Sequence, residues 1–374
     1  MKKTLLSLLV VTSFSTVAGT STNSFNNEDK SIEDVFANID SSSWAVNPED
    51  HGMTVHEYIN QEGIWFADNF ARNFKLGLNN LHHFKELANK DTRWVVSPSI
   101  DHLYSMGVID TSKPFTVVVP ENDGKLVTLH LQDMNHTQPF YKVGAGTYEF
   151  TPEMFDTKYV LIGLRFATDG TKQNVKRITE ELQPKVKIIG GGQDLEGLPK
   201  PNTEAMEAVR TALMPEYDKL NDTYDTVQYR AQDVTDWEKT TYTIAGAFGL
   251  STADTAMYAP YALENAKGEQ CYQATYEAPK LASDLGYYSI TVYDSKGYLM
   301  SNENNIVSTN QGLTQNEDGT FTVVFGGSDC KKHADDNNVN FAHTPKDNWS
   351  FLLRVYQPNV ESMKVYALPE IEAI

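Results

Sequence analysis

The spacing of apolar and polar residues divides the chain into alternating helical and strand-rich regions. Between Met53 and Lys75, apolar residues recur near every third or fourth position, which predicts an amphipathic helix that breaks near Gly63. The polar stretch before it predicts a flexible leader with one short helix at 31–39.

From about Trp94 the apolar period falls to two, which is the period of a half-buried β-strand. Such runs are LYSMGVID, PFTVVVP, KLVTLHLQD and KYVLIGLRF. Asp123 and Gly124, between the second and third runs, predict the tip of a β-hairpin. The strand pattern stops after Ala167, so we predict a first block of antiparallel strands that ends there.

The next residues, 171–253, predict a helical connector with helices at 171–182, 203–217 and 234–249. From Ala256 the strand pattern returns in runs such as QCYQATYE, GYYSITVYD, GTFTVVFGG and WSFLLRVYQP. The fold class is therefore mainly β with α connectors (α+β): two antiparallel β-sandwich or jelly-roll domains joined by a helical segment.

The first residues, MKKTLLSLLVVTSFSTVAG, have the parts of a secretory signal with cleavage after Ala18. We therefore expect an exported protein, periplasmic or secreted. We expect no membrane span, because no other run is long and apolar enough. The predicted parts are a signal peptide at 1–18, a flexible leader at 19–50, a helix plus β-sandwich at 51–170, the connector at 171–253 and a second β-sandwich at 254–374.

The composition is acidic, with a formal net charge of −19 at pH 7. Removal of Lys2 and Lys3 with the signal would take it to −21. Such a surface repels nucleic acid and anionic lipid headgroups, so we expect neither as a partner. It favours a cationic or neutral ligand instead.

The two cysteines, Cys271 and Cys330, both lie in the second β-block. In an oxidising compartment such a pair can form a disulfide. Two separate buried thiols are the alternative, and the residues alone leave both possibilities open.

The stretch SPSIDHLYSMGV places Ser99, Asp101 and His102 close together in sequence, as in a serine-hydrolase triad. Strand alternation would send Asp101 and His102 to opposite faces, and the GxSxG elbow is absent, so we favour the start of a strand over a triad. The nine histidines form neither HxH nor HExxH, and there is no CxxC. We therefore predict no metal and no cofactor.

Three charged residues are embedded in apolar strands: Asp133, Arg165 and Arg354. A charge at such a position needs a partner, because burial of an unpaired charge is costly. One interpretation is a polar pocket in which Asp133 and Arg165 face a ligand. The other is a structural ion pair or a hydrogen-bonded network within the core.

Two blocks of the sequence resemble a bacterial family that pairs the domains of unknown function 1254 and 1214. The first block contains LNNLHHF, VVSPSIDHLYSMGVID and GAGTY, and Asp101, Tyr104 and Ser105 match the family pattern. The second contains YYSITVYDSKGYLMSNENN and WSFLLRVYQP, with matches that include Asn302 and Arg354. The resemblance implies two β-sandwich or jelly-roll domains joined by helices, often oligomeric, and it implies no settled reaction.

Three functions remain open from the sequence. The first is an exported, non-catalytic protein that binds a small molecule or glycan between its β-domains. The second is a hydrolase-type enzyme with its site at the domain junction, and the third is a structural or assembly subunit. The candidate catalytic residues are Asp133, Arg165, Asp101 and Tyr104, with Asp133 as base and Arg165 holding an anion. The candidate ligand-binding residues are Tyr141, His136, Asn302 and Arg354.

Overall fold

Two β-sandwiches and a layer of helices form the structure, a computed structural model that describes residues 31–92 and 95–374. The predicted signal peptide at 1–18 lies outside these residues. The predicted fold class, mainly β with α connectors, is confirmed, and none of the sheets in the described ranges closes into a barrel.

The described ranges contain seven α-helices and sixteen strands. The helices are α1 (Ile32–Ala37), α2 (Val55–Asp68), α3 (Lys172–Arg177), α4 (Thr203–Tyr217), α5 (Trp237–Ala247), α6 (Ser328–Asp336) and α7 (Val360–Lys364). The strands are β1 (Asn80–His83), β2 (His102–Asp110), β3 (Phe115–Val119), β4 (Val127–Asp133), β5 (Phe140–Val143), β6 (Gly146–Phe150), β7 (Tyr159–Ala167), β8 (Lys187–Gly190), β9 (Ala256–Ala262), β10 (Tyr272–Tyr276), β11 (Tyr287–Tyr293), β12 (Ile306–Ser308), β13 (Phe321–Gly326), β14 (Asn340–His343), β15 (Ser350–Tyr356) and β16 (Glu372–Ala373).

The first sandwich packs a five-stranded sheet, β1-β2-β7-β4-β5, against a three-stranded sheet, β6-β3-β8. Every strand pair in both sheets is antiparallel. Leu103, Leu129 and Leu164 of the larger sheet share a buried core with Val117 and Phe150 of the smaller one. Alternation along these strands therefore leaves the opposite face of the five-stranded sheet free to meet another part of the protein.

Two expectations for this region are wrong. Asp123 and Gly124 do form a turn with positive φ angles of 48° and 75°, but β3 and β4 lie in different sheets. The turn thus carries the chain from one sheet to the other and does not close a hairpin. Strands also continue after Ala167, because β8 pairs with β3 and completes the three-stranded sheet.

The second sandwich packs an inner sheet, β12-β11-β15-β9, against an outer sheet, β14-β13-β10-β16. The pair β13 and β14 is parallel, and the other described pairs are antiparallel. Ile290 and Leu353 of the inner sheet pack with Val323 and Phe325 of the outer sheet around the fully buried Trp349. The outward face of the inner sheet is directed at the first sandwich, as the contacts described below show.

Helix α2 begins at a capping box in which Thr54 and Glu57 satisfy each other's backbone N–H groups. The predicted break at Gly63 is wrong, because α2 runs through it to Asp68. Gly63 instead allows a close approach: a Cβ there would lie 3.1 Å from the Sδ atom of Met134. The glycine is therefore explained by packing and not by a helix end.

Helices α2, α4 and α5 share a third apolar core that includes Ile59, Val209 and Ile244. The buried carboxylate of Glu62 on α2 accepts hydrogen bonds from Arg210 on α4 at 2.5 and 2.8 Å. The other side of α2 covers one end of the five-stranded sheet. None of the helices in the described residues is long and apolar enough to cross a lipid bilayer.

Cys271, next to β10, and Cys330, on α6, are joined by a disulfide with a Cα–Cα distance of 5.4 Å. Replacing both with alanine should lower the free energy of unfolding by about 2–4 kcal/mol, because the bond restricts the unfolded chain over a long loop. Urea unfolding of the variant measures this loss, and the wild type in reducing agent should lose a similar amount. Two titratable thiols in the unreduced protein, with unchanged unfolding, would contradict the bond.

Candidate functional site

The two sandwiches meet through the polar faces of the five-stranded sheet and the inner sheet. Strand register places polar side chains side by side on each of these faces. The row on the five-stranded sheet is Tyr104, Arg165 and Thr128, and the row on the inner sheet is Ser289, Arg354 and Tyr258. Because neighbouring strands hold these residues directly opposite one another, each face is a continuous polar surface.

We call the side chains between these two sheets the polar layer. They are joined by residues of the segment just before β2 and of the loop after α5. The members are Ser99, Asp101, His102, Tyr104, Thr128, His130, Tyr141, Arg165, Ser251, Tyr258, Tyr287, Ser289, Arg354 and Tyr356.

Hydrogen bonds cross the polar layer from one sandwich to the other. The Ser289 hydroxyl donates to Asp101 Oδ2 at 2.6 Å. The Tyr287 hydroxyl is hydrogen-bonded to His102 Nε2. These contacts join residues almost two hundred positions apart, so the layer forms only when both domains are folded and docked.

Ser99 lies 3.3 Å from both Asp101 Oδ2 and His102 Nδ1. The expectation that strand alternation would separate Asp101 from His102 is wrong, because β2 begins at His102 and Asp101 lies on the bend before it. The carboxylate nevertheless contacts the serine and not the imidazole. The order of contacts therefore differs from that of a serine-hydrolase triad.

Arg354 holds the segment before β2 against the second sandwich. It is buried, and its Nη2 donates to the carbonyl oxygen of Ser97 at 2.5 Å. Its guanidinium lies 5.6 Å from the ring centre of Tyr293, whose hydroxyl donates to the Pro98 carbonyl. Arg354 Nη1 has no hydrogen-bond partner among the described residues.

Arg165 is the least compensated charge in the polar layer. Its side chain is only 8% exposed, and Nη1 donates to the Ser251 hydroxyl at 3.2 Å. Its Nε has no hydrogen-bond partner, and no carboxylate of the described residues lies within ion-pair distance of it. The side chains that interact electrostatically with the Arg165 guanidinium are those of four tyrosines, Tyr258, Tyr104, Tyr356 and Tyr141.

The histidines around Arg165 are neutral. Burial, followed by the field of Arg165, lowers the pKa of both His102 and His130 well below the ordinary value. Burial also raises the pKa of Asp101, against the stabilising effect of the Ser289 hydroxyl and Arg354. The layer is therefore poor in negative charge.

His130 owes its position to a glycine on the neighbouring strand. A Cβ on Gly163 would lie 2.2 Å from the His130 ring, so the ring occupies the space that any other side chain would fill. Besides the arginine atoms, the buried polar atoms of the layer without a hydrogen-bond partner are His130 Nδ1, Thr128 Oγ1, the Tyr141 hydroxyl and Asp101 Oδ1. Buried polar atoms without partners are rare in folded proteins and indicate a bound water or ligand.

The structure brings five of the eight predicted site residues into the polar layer and leaves three outside it. Those inside are Asp101, Tyr104, Tyr141, Arg165 and Arg354; those outside are Asp133, His136 and Asn302. Asp133 pairs with Val160, five positions along β4 from the residue opposite Arg165, and on the other face of the sheet. The structure thus separates Asp133 from Arg165, and they do not face a common pocket.

Asp133 and His136 organise the turn after β4. Asp133 Oδ1 accepts hydrogen bonds from the backbone N–H groups of Asn135 and Thr137 at 2.9 and 3.0 Å. His136 Nε2 accepts the Gly249 N–H at 3.0 Å, and burial lowers the pKa of His136 to about 3. Each side chain therefore holds the chain through one atom, while Asp133 Oδ2 and His136 Nδ1 have no hydrogen-bond partner among the described residues.

Asn302 lies in a separate surface cleft of about 440 Å³ on the second sandwich. Phe341, Lys331 and His343 also line it. Across the described residues, no three His, Cys, Asp or Glu side chains converge to form a possible metal site.

The residues that complete the layer were not among the predicted site residues: Ser99, His102, Thr128, His130, Ser251, Tyr258, Tyr287, Ser289 and Tyr356. A usable signal was present in β11, where Tyr287, Ser289 and Thr291 share one face of an otherwise apolar strand. Strand parity could therefore have marked a polar outward face. It could not have shown that the five-stranded sheet of the other domain covers that face.

The fold and the polar layer define a protein of two stacked β-sandwiches joined face to face. Residues 78–189 match the family described as protein of unknown function DUF1254, and residues 257–360 match the family described as protein of unknown function DUF1214. Together the matches span more than half of the chain. The protein belongs to the family that pairs these two domains, which confirms the resemblance seen in the sequence.

A solved structure shares this fold. The crystal structure of the VPA0106 protein from Vibrio parahaemolyticus aligns with a TM-score of 0.65 at 16% identity, covering 87% of this chain and 98% of that one. An uncharacterized protein from Burkholderia cenocepacia aligns with a TM-score of 0.48 at 10% identity, covering 85% of this chain and 87% of that one. No curated protein matches the chain. At this identity the first likeness shows the fold alone.

The buried carboxyl of Asp133 should make the free energy of unfolding depend on pH. Burial raises the pKa of Asp133 to about 7, and the nearby Asp156 contributes to the rise. An acid whose pKa is higher in the folded state loses stability as pH rises from its unfolded value near 4 to its folded value near 7. Asp133→Asn keeps the accepting oxygen and removes the ionisation, so its unfolding free energy should fall less over this range.

Thermal unfolding at pH 4 to 8 measures this difference, which should reach a few kcal/mol at the upper end. Asp336→Asn, at an exposed residue paired with Lys332, is the matched control and should follow the wild type. Parallel curves for wild type and Asp133→Asn would show that the carboxyl ionises normally in the folded protein.

Proposed function

We propose that this protein binds a small molecule in the polar layer, beside Arg165. The observation that carries the proposal is a buried guanidinium without a carboxylate partner among the described residues, next to unpartnered polar atoms of Tyr141 and Thr128. A buried charge that is left unpaired costs several kcal/mol, so proteins pair it or fill the site. A bound molecule would satisfy these groups together.

The position of the layer also supports a binding role. Small-molecule sites occur preferentially between domains. In such sites a small number of polar groups point toward the same place within an otherwise closely packed region. Tyr104, Tyr141 and Tyr258 retain partial exposure although Asp101 and His102 beside them are buried. A buried site of this kind suits a small molecule better than a long glycan chain.

A hydrolase is the second candidate, and one observation favours it: Ser99 Oγ lies 3.3 Å from His102 Nδ1. A serine nucleophile needs a base that a third group orients. Here Asp101 contacts the serine, and Tyr287 holds the other imidazole nitrogen. This order supports binding better than acyl transfer.

We further propose that the protein is exported to the periplasm or beyond and assembles as an oligomer. Export draws on the signal-like residues at 1–18 and on the disulfide, which suits an oxidising compartment. The oligomer draws on the family resemblance, and light scattering of the purified protein measures it.

The binding site is tested by thermal-shift screening of the purified protein against sugars, small acids, lipids and divalent metals. A ligand at about a hundred times its Kd stabilises the folded state by about 2.7 kcal/mol. Arg165→Gln should abolish that shift, because it removes the buried charge. Arg177→Gln is the matched control, since Arg177 pairs with Asp123 in the same domain and outside the layer.

Two outcomes would count against the proposed site. A ligand that shifts wild type and Arg165→Gln equally would bind elsewhere. If no compound binds and Arg165→Gln melts higher than the wild type, the layer serves only to dock the domains and the structural-subunit hypothesis is favoured.

Export is tested by expressing the full chain in a bacterial host and separating the compartments. The protein should appear in the periplasm or medium with its N-terminus at residue 19, since the cleavage position is predicted after Ala18. Mass spectrometry gives the N-terminus directly. A chain that stays in the cytoplasm with residues 1–18 attached would contradict this prediction.

A further inference from the structure

We propose that the ligand of the polar layer is a small oxyanion, a carboxylate or phosphate-type group bound by Arg165 and the Tyr141 hydroxyl. This inference rests on the proposed function and names the chemical class of the ligand. It differs from the expectation of a cationic or neutral ligand that follows from the acidic composition.

The charged groups of the polar layer are unequal in number. The layer contains two guanidinium groups, Arg165 and Arg354, and one carboxyl group, Asp101. Asp101 Oδ2 accepts from Ser289 and Ser99, its Oδ1 has no partner among the described residues, and its electrostatic partner is Arg354. No ion pair joins Asp101 to Arg165, which leaves one buried positive charge without a counterion.

Other described groups do not supply that counterion. Burial holds Tyr104, Tyr141 and Tyr356 in their neutral form, because it raises the pKa of each hydroxyl. Asp254, which lies near Tyr141, is exposed, and it accepts a hydrogen bond from Tyr229 at 2.6 Å. An anion from solution is the remaining way to neutralise Arg165.

The hydrogen-bond donors of the layer also fit an oxyanion. Nε of Arg165, which shares one edge of the guanidinium with Nη2, has no partner, and Nη1, outside that edge, donates to Ser251. Tyr141 adds an unpartnered hydroxyl. A planar guanidinium edge matches two oxygens of a carboxylate or phosphate group, and a phenol hydroxyl donates to the same group. A cation or a hydrocarbon would leave all of these donors unsatisfied.

A narrow surface cleft beside Ser251, the hydrogen-bond partner of Arg165, is also lined by Tyr258 and Asp225 and has a volume of about 10 Å³. Such a volume accommodates about one water molecule. The cleft as it stands therefore excludes a bulky molecule, and even a small oxyanion enters only if the side chains that line it move.

The test uses dialysed full-length protein and probes matched in size. Acetate is compared with acetamide, which has the same shape without the charge, and formate, phosphate and sulfate are added at constant ionic strength. An oxyanion should raise the melting temperature saturably, and acetamide should not. The carboxylate and phosphate arms identify which oxyanion the site prefers.

Tyr141→Phe is the variant that should still fold, because it removes only a hydroxyl. It should raise the Kd of the best oxyanion about tenfold, as loss of one hydrogen bond to a charged group does. Tyr148→Phe is its matched control, since the Tyr148 hydroxyl bonds the Gly144 carbonyl outside the layer. Its Kd should equal that of the wild type.

Dialysis does not remove a tightly held anion, so the protein is also denatured and the released anions are measured by ion chromatography. About one equivalent per chain from wild type, and none from Arg165→Gln, supports the proposal. Equal shifts with acetate and acetamide would overturn the oxyanion and leave the binding function standing. No shift with any probe and no released anion would overturn both.

Discussion

The docking of two polar sheet faces is the constraint on which the rest of this structure depends. Each sandwich buries its apolar residues in a core of its own. Because side chains alternate along a strand, a polar face remains on β2, β7 and β4 of the first sandwich and on β11 and β15 of the second. Burial of these faces costs free energy unless the donors of one face form hydrogen bonds with the acceptors of the other. The contacts of Asp101 with Ser289 and of Arg354 with the Ser97 carbonyl meet that requirement across the boundary. The segment before β2 therefore joins the two domains through hydrogen bonds.

Local patterns predicted local structure well, and they failed where pairing depends on distant residues. The apolar spacing predicted a helix at 203–217, and α4 has those bounds. Asp123 and Gly124 correctly indicated a turn, because their backbone angles are set by the two residues themselves. Which strands the turn joins depends on the whole sandwich, and here it links two sheets. Strand β8 escaped detection because it is a short edge strand, held by pairing with β3 and not by its own pattern.

The residues of the candidate site also fall into those that local sequence patterns could identify and those that they could not. Arg165 and Arg354 could be identified because a charge within an apolar strand is unusual wherever the strand lies. Their neighbours could not, since Tyr287 and His102 are 185 positions apart and meet only through domain docking. Asp133 showed the same signal for a different reason: it ends its strand and accepts backbone N–H groups of the turn. An embedded charge therefore indicates that a partner exists, while its place along the strand decides whether that partner is a backbone group or another domain.

Net charge and local charge point in opposite directions in this protein. The chain carries −19 overall, yet the histidines beside Arg165 are neutral and no carboxylate of the described residues pairs with it. The surface charge is spread over exposed side chains and is screened within about 10 Å at moderate ionic strength. The charge of Arg165 lies in a less polar interior, where the same interaction is several times stronger. Ligand preference is set at that short range, so the buried guanidinium and not the acidic surface should determine which molecule the protein retains.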